Sequence, residues 1–321
     1  MEKFAIAVDF GGTNIRVAAI DTKGKIYKRI KRPALAQEGK ESVKKNLLSA
    51  IEEIYQTLPK KKIKGIGLGI AGAIDLEKGI ISQSPNFPGC DNYPLRDEIQ
   101  VDFLKSIPIL LENDANAAAV GERWKGVGKG MDNLICLTLG TGIGGGIIIN
   151  GKLVHGTNGM AGELGHITVD PSGPRCNCGN YGCLEALASA TAIRREAIEA
   201  AKKHPESELN QRCKGNREVI TAEMVYHSAL FGDPIAQKIY QVMGRYLGIG
   251  VATLINIFNP EMVIIGGGVS KAWEIFFPFL QEEVNSRAFK IPAQAAKIVP
   301  AACGDDAGLL GAAYLVFNSN T

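Results

Sequence analysis

The sequence predicts a two-lobed α/β protein built from a duplicated supersecondary unit. Three observations lead there. The chain has 321 residues, too many for one small core. An opening run of three strands, with a Gly/Thr turn after the first and a Gly-Lys turn after the second, recurs further along the chain. Glycine-rich turns also follow buried-strand runs at three separate places.

The first copy begins with Phe4–Asp9, a buried-strand run closed by Gly11-Gly12-Thr13. Ile15–Ile20 is apolar and β-branched, and Asp21-Thr22-Lys23-Gly24-Lys25 turns the chain into a third strand, Ile26–Ile30. Glu41–Leu58 carries Val43, Leu47, Leu48, Ile51, Ile54 and Tyr55 at helical spacing, and Ile63–Ala71 is a further buried strand ending at Gly72. In the second copy, Leu134–Leu139, the turn Gly140-Thr141-Gly142, Gly145–Ile149 and the turn Asn150-Gly151-Lys152 into Leu153–His155 repeat the layout. Met262–Ile265 before Gly266-Gly267-Gly268 echoes Ile66–Ile70 before Gly72. Two such halves facing each other would leave a cleft where ligands bind. The predicted lobes are 1–117 with 305–321, and 118–304. The polar stretch Lys202–Arg217 is expected to be a surface excursion.

Bulk properties narrow the function classes. Apolar residues make up 45% and charged residues 21%, ordinary values for a soluble globular chain. The net charge of +3, from 36 basic and 33 acidic residues, is too near neutral for a nucleic-acid binder. The apolar run after Met1-Glu2-Lys3 is too short for a signal peptide, and no apolar stretch reaches the about 18 residues of a membrane span. A cytoplasmic protein is expected, with neither nucleic acid nor membrane as partner. Seven cysteines, an odd count, argue against a disulfide framework.

Glycine turns let backbone N–H groups approach a phosphate with no Cβ in the way. Gly11-Gly12-Thr13, Gly140-Thr141-Gly142 and Gly266-Gly267-Gly268 all qualify. Two other glycine patterns are decoys. Gly146–Lys152 has P-loop spacing, but Leu153 stands where Ser or Thr should hold Mg²⁺. Gly67-Leu68-Gly69-Ile70-Ala71-Gly72 has dinucleotide-fold spacing, but its first glycines lie inside a strand and no helix follows. Asp9, one residue before the first turn, is placed to hold Mg²⁺, often through water, or else to brace the turn.

Pro108–Ala119 reads as a strand feeding an Ala-rich helix that ends near Gly126. Asp114 falls at the helix N-terminus, where the dipole and open N–H groups favour its ionised form. An Asp there is either a cap or a base that orients a hydroxyl for phosphoryl transfer. The density of polar groups in Asn113-Asp114-Ala115-Asn116 exceeds what a cap requires.

The sharpest constellation is His166 with Cys176, Cys178 and Cys183. Three thiolates and one imidazole satisfy tetrahedral Zn²⁺ with no open position, which predicts a structural site. Glu163 and Glu185 flank it and could accept hydrogen bonds from sugar hydroxyls. Glu185 opens a helix predicted over Leu184–Lys203.

Asp9-Phe10-Gly11-Gly12-Thr13, Glu112–Ala117, Leu139–Gly146, Glu163-Leu164-Gly165-His166 and the Cys176–Glu185 run together resemble the ROK family (repressors, open reading frames, kinases) across essentially the whole chain. The resemblance implies an actin-like ATPase (hexokinase/ribonuclease H-like) fold with duplicated βββαβα units. It implies ATP-dependent phosphorylation of the 6-hydroxyl of a hexose with Mg²⁺, and a homodimer or homotetramer. By the same resemblance Asp114 is the general base, and Gly72, Asn86, Asn113, Glu163, His166 and Glu185 bind sugar. Gly11, Gly12, Thr13, Thr141 and Gly142 match phosphate-binding turns, and Gly266 and Gly267 the adenosine region. His166, Cys176, Cys178 and Cys183 match the zinc ligands. Ser84–Gly89 resembles the loop of the family's glucokinase members, although Cys90 stands where those more often have Trp. Glucose is therefore the expected sugar, with N-acetylmannosamine, N-acetylglucosamine and fructose as alternatives. ROK regulators carry an added N-terminal helix-turn-helix, for which a first strand at Phe4 leaves no room.

Overall fold

The computed structural model describes residues 3–319 apart from 85, 86, 88, 102 and 103. In chain order, β1 (Phe4–Phe10), β2 (Asn14–Asp21) and β3 (Ile26–Pro33) precede α1 (Lys40–Tyr55) and β4 (Ile63–Ile70). A hairpin of β5 (Ala73–Asp75) and β6 (Ile80–Gln83), α2 (Leu95–Ile99), β7 (Ile109–Asn113) and α3 (Asp114–Lys125) follow. The second copy opens with β8 (Leu134–Leu139), β9 (Ile143–Ile149) and β10 (Lys152–Leu153). Next come α4 (Leu184–Ala188), α5 (Ala190–Lys203), α6 (Glu208–Arg212), α7 (Ala222–Leu230) and α8 (Pro234–Phe258). The chain closes with β11 (Met262–Gly266), α9 (Trp273–Arg287), α10 (Lys290–Ala295), β12 (Lys297–Pro300) and α11 (Ala307–Asn318).

The duplication is written in the sheets. One has the order β3-β2-β1-β4-β7 and the other β10-β9-β8-β11-β12, so the same third-second-first-fourth-fifth arrangement occurs twice. In the first, β1 runs antiparallel to β2 and parallel to β4, and β4 runs parallel to β7. In the second, β8, β11 and β12 are parallel, as the intervening helical crossovers require.

Two compact units result: Met1–Asp132 with Gly146–Gly162 and Ala302–Thr321, and Asn133–Gly145 with Glu163–Ala301. The predicted division at 117/118 cuts through α3, which instead stays whole in the first unit. The reason is its packing on α11. A Cβ on Gly311 would lie 1.7 Å from the Ala117 carbonyl oxygen, and one on Gly121 would lie 2.0 Å from that of Ala307. The two helices touch backbone to backbone.

Strand alternation sets the faces of the first sheet. Ile6, Val8 and Phe10 pack with Leu47, Ile51 and Ile54 of α1, whereas Ala5 and Ala7 meet Leu309, Ala312 and Ala313 of α11. Small residues on that second face let α11 lie close. This also explains the decoy glycines: a Cβ on Gly67 would be 2.0 Å from the Ala312 oxygen, and one on Gly69 3.0 Å from Ala117 Cβ. A Cβ on Gly146 of β9 would be 2.6 Å from Ala119 Cβ. These glycines seat helices, not phosphates.

Two helical expectations are corrected. The helix predicted over 184–203 is broken at Ser189, which is extended and caps α5 through the Ala192 N–H. The break lets the Ala190 N–H donate to the Gly140 carbonyl at 2.9 Å. The polar stretch 202–217 is not a bare excursion, because it contains α6, with Leu209 and Cys213 buried. No helix among the described residues is long and apolar enough to cross a membrane.

Candidate active site and metal centre

The junction of β7 and α3 carries the first cluster. Asn113, not Asp114, is the helix cap: its Oδ1 accepts the N–H groups of Ala115 and Asn116 at 2.9 and 3.1 Å. Its Nδ2 donates to the Gly72 carbonyl at 3.1 Å. Gly72 has φ +148°, and a Cβ there would meet the Gln83 oxygen at 2.8 Å, so only glycine suits this bend. Asp114 is the first residue of the helix, with Oδ1 near the Ala115 N–H at 2.9 Å. Capping is done by its neighbour, so the plain-cap explanation of Asp114 falls away. Two residues before Asp114, Glu112 is buried and accepts from the Asn113 N–H and the Asn116 side-chain amide, each at 2.9 Å.

Asp9 lies near the C-terminal end of β1, the central strand of the same sheet. Arg16 pairs with its Oδ2 at 2.9 Å and also reaches Asp305. Burial pushes the Asp9 carboxyl above its ordinary value, and the Arg16 guanidinium pulls against that rise. The carboxylate lies over Gly308 in the first turn of α11, where a Cβ would sit 3.3 Å from Asp9 Cγ. A helix N-terminus favours an anion there. The Gly11–Thr13 turn begins two residues further on and is closed by the Gly11 N–H to the Asn14 carbonyl at 3.1 Å. Asp9 offers a single carboxylate oxygen, Oδ1, beside the one that Arg16 holds, so a Mg²⁺ here would be reached through water and completed by other oxygens.

In the second unit, the turn at Gly140–Gly142 is closed by the Gly140 N–H to the Gly142 carbonyl at 2.9 Å. Gly267, at φ +87°, approaches the end of β8 so closely that a Cβ would lie 2.3 Å from the Leu139 oxygen. Two of the three glycine turns are thereby neighbours. Glu185 accepts the Ile143 N–H at 2.9 Å and lies 3.8 Å from Cys176 Sγ. A Cβ on Gly142 would fall 2.2 Å from Glu185 Oε2. The second turn and the cysteine loop are thus joined through one carboxylate.

His166, Cys176, Cys178 and Cys183 offer four ligand atoms within 4.8 Å of one another. Cys178 and Cys183 Sγ are 3.7 Å apart, and Cys176 Sγ is 3.7 Å from His166 Nδ1. Tetrahedral zinc with bonds of about 2.3 Å to sulfur and about 2.0 Å to nitrogen requires edges of about 3.8 and 3.5 Å. The donor set fits. Burial pushes the Cys176 and Cys183 thiols up, while the Asn180 N–H pulls Cys178 down. His166 Nε2 faces Glu163 Oε2 at 3.9 Å, the kind of outer carboxylate that orients a ligating imidazole.

The structure therefore gathers Gly72, Asn113 and Asp114 at one corner of the first unit. It gathers Thr141, Gly142, Glu163, His166, the cysteines, Glu185, Gly266 and Gly267 in the second. Asn86 lies outside the described residues. Sequence reading missed Arg16, although the signal existed: a tight turn at Gly12-Thr13 makes hairpin partners sum to a constant, and Asp9 pairs with Arg16. It also missed Glu112 as a buried carboxylate and its partner His155, bonded at 2.7 Å.

Comparison with known proteins places the chain in a family. The ROK family pattern matches residues 5–319, and the chain belongs to the ROK family. It is 43% identical to a glucokinase from Thermotoga maritima, over 97% of this chain and 96% of that protein. A ROK family glucokinase from Streptomyces griseus in complex with glucose and AMPPNP superposes with TM-score 0.84 at 34% identity, covering 97% of this chain and 98% of that one. A xylose repressor from Caldicellulosiruptor bescii is 35% identical over 98% of this chain and 78% of its own length. The fold is the actin-like ATPase fold, in two copies of one α/β unit.

Proposed function

We propose that the chain is a hexose kinase that transfers the terminal phosphoryl group of ATP to the 6-hydroxyl of glucose. The observation that carries this reading is the β7–α3 corner, where Asn113 does the capping and Asp114 stands beside it as an ionisable group with a separate task. Asp114 accepts the proton of the sugar hydroxyl as its oxygen bonds to the γ-phosphorus. The bond to the bridging oxygen breaks, and its electron pair leaves with ADP. Asn113 sets where the helix starts, and so where the base sits. Glu163, His166 and Glu185 take the sugar hydroxyls, and the glycine turns take the phosphates and adenosine. A Mg²⁺ held through water by Asp9 would supply charge neutralisation at the phosphates. Zinc held by His166, Cys176, Cys178 and Cys183 would have a structural role, since four protein ligands leave no open position. The 43% identity to a glucokinase over nearly the full chain supports glucose over an N-acetylated sugar.

A sugar-responsive regulator is the second reading, favoured by the 35% identity to a xylose repressor. A coupled ADP-release assay with glucose, fructose, mannose, N-acetylglucosamine and N-acetylmannosamine separates the two. Preference for glucose is expected. Preference for an N-acetylated sugar overturns the substrate, and no turnover with any sugar or phosphate donor leaves the regulator.

A further inference from the structure

We propose that His155 is a positioning residue for the phosphoryl-transfer base, holding Glu112 beneath the first turn of α3 so that Asp114 is presented in one place. The proposal rests on the kinase reading above, and the measurements below separate the two.

Glu112 is the last residue but one of β7, 3% exposed, and it makes three bonds. Two go to residues that flank Asp114: the Asn113 N–H and the Asn116 side-chain amide. The third is His155 Nε2 at 2.7 Å, the shortest of the set. A carboxylate can only accept, so Nε2 carries the proton in this contact. The same contact pushes the His155 imidazole above its ordinary value, against burial. Without His155, Oε2 of a buried carboxylate would lose this partner, and the group would turn toward solvent or other donors. Either movement releases Asn113 and Asn116, the two residues that define how α3 begins.

A second observation points the same way. Asn116 is 1% exposed, and among the described residues its Oδ1 has no hydrogen-bond partner, so the bond from its Nδ2 to Glu112 is what orients the amide. Its alignment depends on Glu112 staying in place. His155 is itself pinned: it stands two residues after the end of β10, next to Val154, whose N–H donates to the Ile147 carbonyl, and its own carbonyl accepts the Ala161 N–H at 3.0 Å. That bond closes the loop whose chain runs on to Glu163, so the imidazole sits at the root of a loop with closed ends.

The experiment compares His155→Phe, His155→Gln and Glu112→Gln in steady-state kinetics and thermal denaturation. Gln keeps an Nε2–H that can donate to Glu112, whereas Phe fills the space without a donor. His155→Phe is expected to lower kcat about 10- to 100-fold with KM for glucose and ATP within about twofold. His155→Gln is expected to recover most of that loss at a melting temperature no higher than that of the Phe variant. A kcat within about twofold of wild type for His155→Phe, or a loss that Gln does not relieve, overturns the proposal. If the wild-type chain turns over no sugar, the kinase reading falls. The tie is then judged by amide hydrogen exchange at Ala115 and Asn116. Acceleration in the Phe variant with recovery in the Gln variant supports it, and unchanged exchange overturns it.

Discussion

Replacing Asn113 by Ala removes three hydrogen bonds from one corner: two caps on α3 and the donation to Gly72. Loss of an N-cap costs about 1 kcal/mol. The half-buried link to Gly72 adds about 1 kcal/mol more. The unit that holds α3 should therefore lose about 2 kcal/mol, read as a lower urea midpoint at unchanged slope. Trp124 lies near the other end of the same helix, so its fluorescence in a Trp273→Phe background reports that unit. Turnover should fall further than stability suggests, because a displacement of Asp114 by about 1 Å costs about 100-fold. Asn113→Asp separates the parts: it keeps an acceptor for both N–H groups but cannot donate to Gly72, so about half of the lost stability should return. An Asn113→Ala midpoint corresponding to less than about 0.5 kcal/mol, or an unchanged kcat, would refute the claim that this cap sets the base.

Asp114→Asn should keep glucose binding, measured by calorimetry, while kcat falls about 10²- to 10⁴-fold; near-normal turnover would remove Asp114 as the base. Cys178→Ser should lower zinc content below one per chain by elemental analysis and weaken sugar binding with it, whereas full zinc content would exclude Cys178 as a ligand. The His155–Glu112 pair makes stability depend on pH. His155 titrates at a raised value when folded, so its contribution is complete below the ordinary value of 6.5 and is lost as pH rises through the folded value. Urea midpoints taken between about pH 6 and pH 9 should fall with that profile, and Glu112→Gln should flatten it; an equal slope in both proteins would show that other groups dominate.

Much of this was legible because the physics is local. The alternation in β1, the β-branched run in β2 and the Gly-Lys turns are short-range signals, and the duplication read from them is matched by the repeated sheet order. The His/Cys cluster was legible because three of its four residues crowd into eight positions. What sequence alone could not resolve depended on distant chain. Gly67 and Gly69 mimic a nucleotide fingerprint, yet their purpose is to admit α11 and α3. The helix from Leu184 is interrupted because Gly140 needs the Ala190 N–H, a demand that nothing in the helix's own pattern expresses. Asn113 and Asp114 are equally good caps by type, and the backbone decides between them. His155 stands after a two-residue strand with no periodicity to mark it, and its meaning appears only once β7 lies beside it.

The contact of α11 with the first sheet has a further consequence for how the chain is made. The alanine face of β1, which α11 covers, is synthesised at the beginning, and α11 comes only after the whole of the second unit. During translation that face waits, apolar and uncovered, until the last helix leaves the ribosome. The second unit can complete its core first, so the Asn113–Asp114 corner of α3 matures last, when α11 wedges its glycine against Ala117. A stalled or truncated nascent chain would therefore hold a finished cysteine loop and an unfinished β7–α3 corner, and the bare strand face is where chaperones would find it.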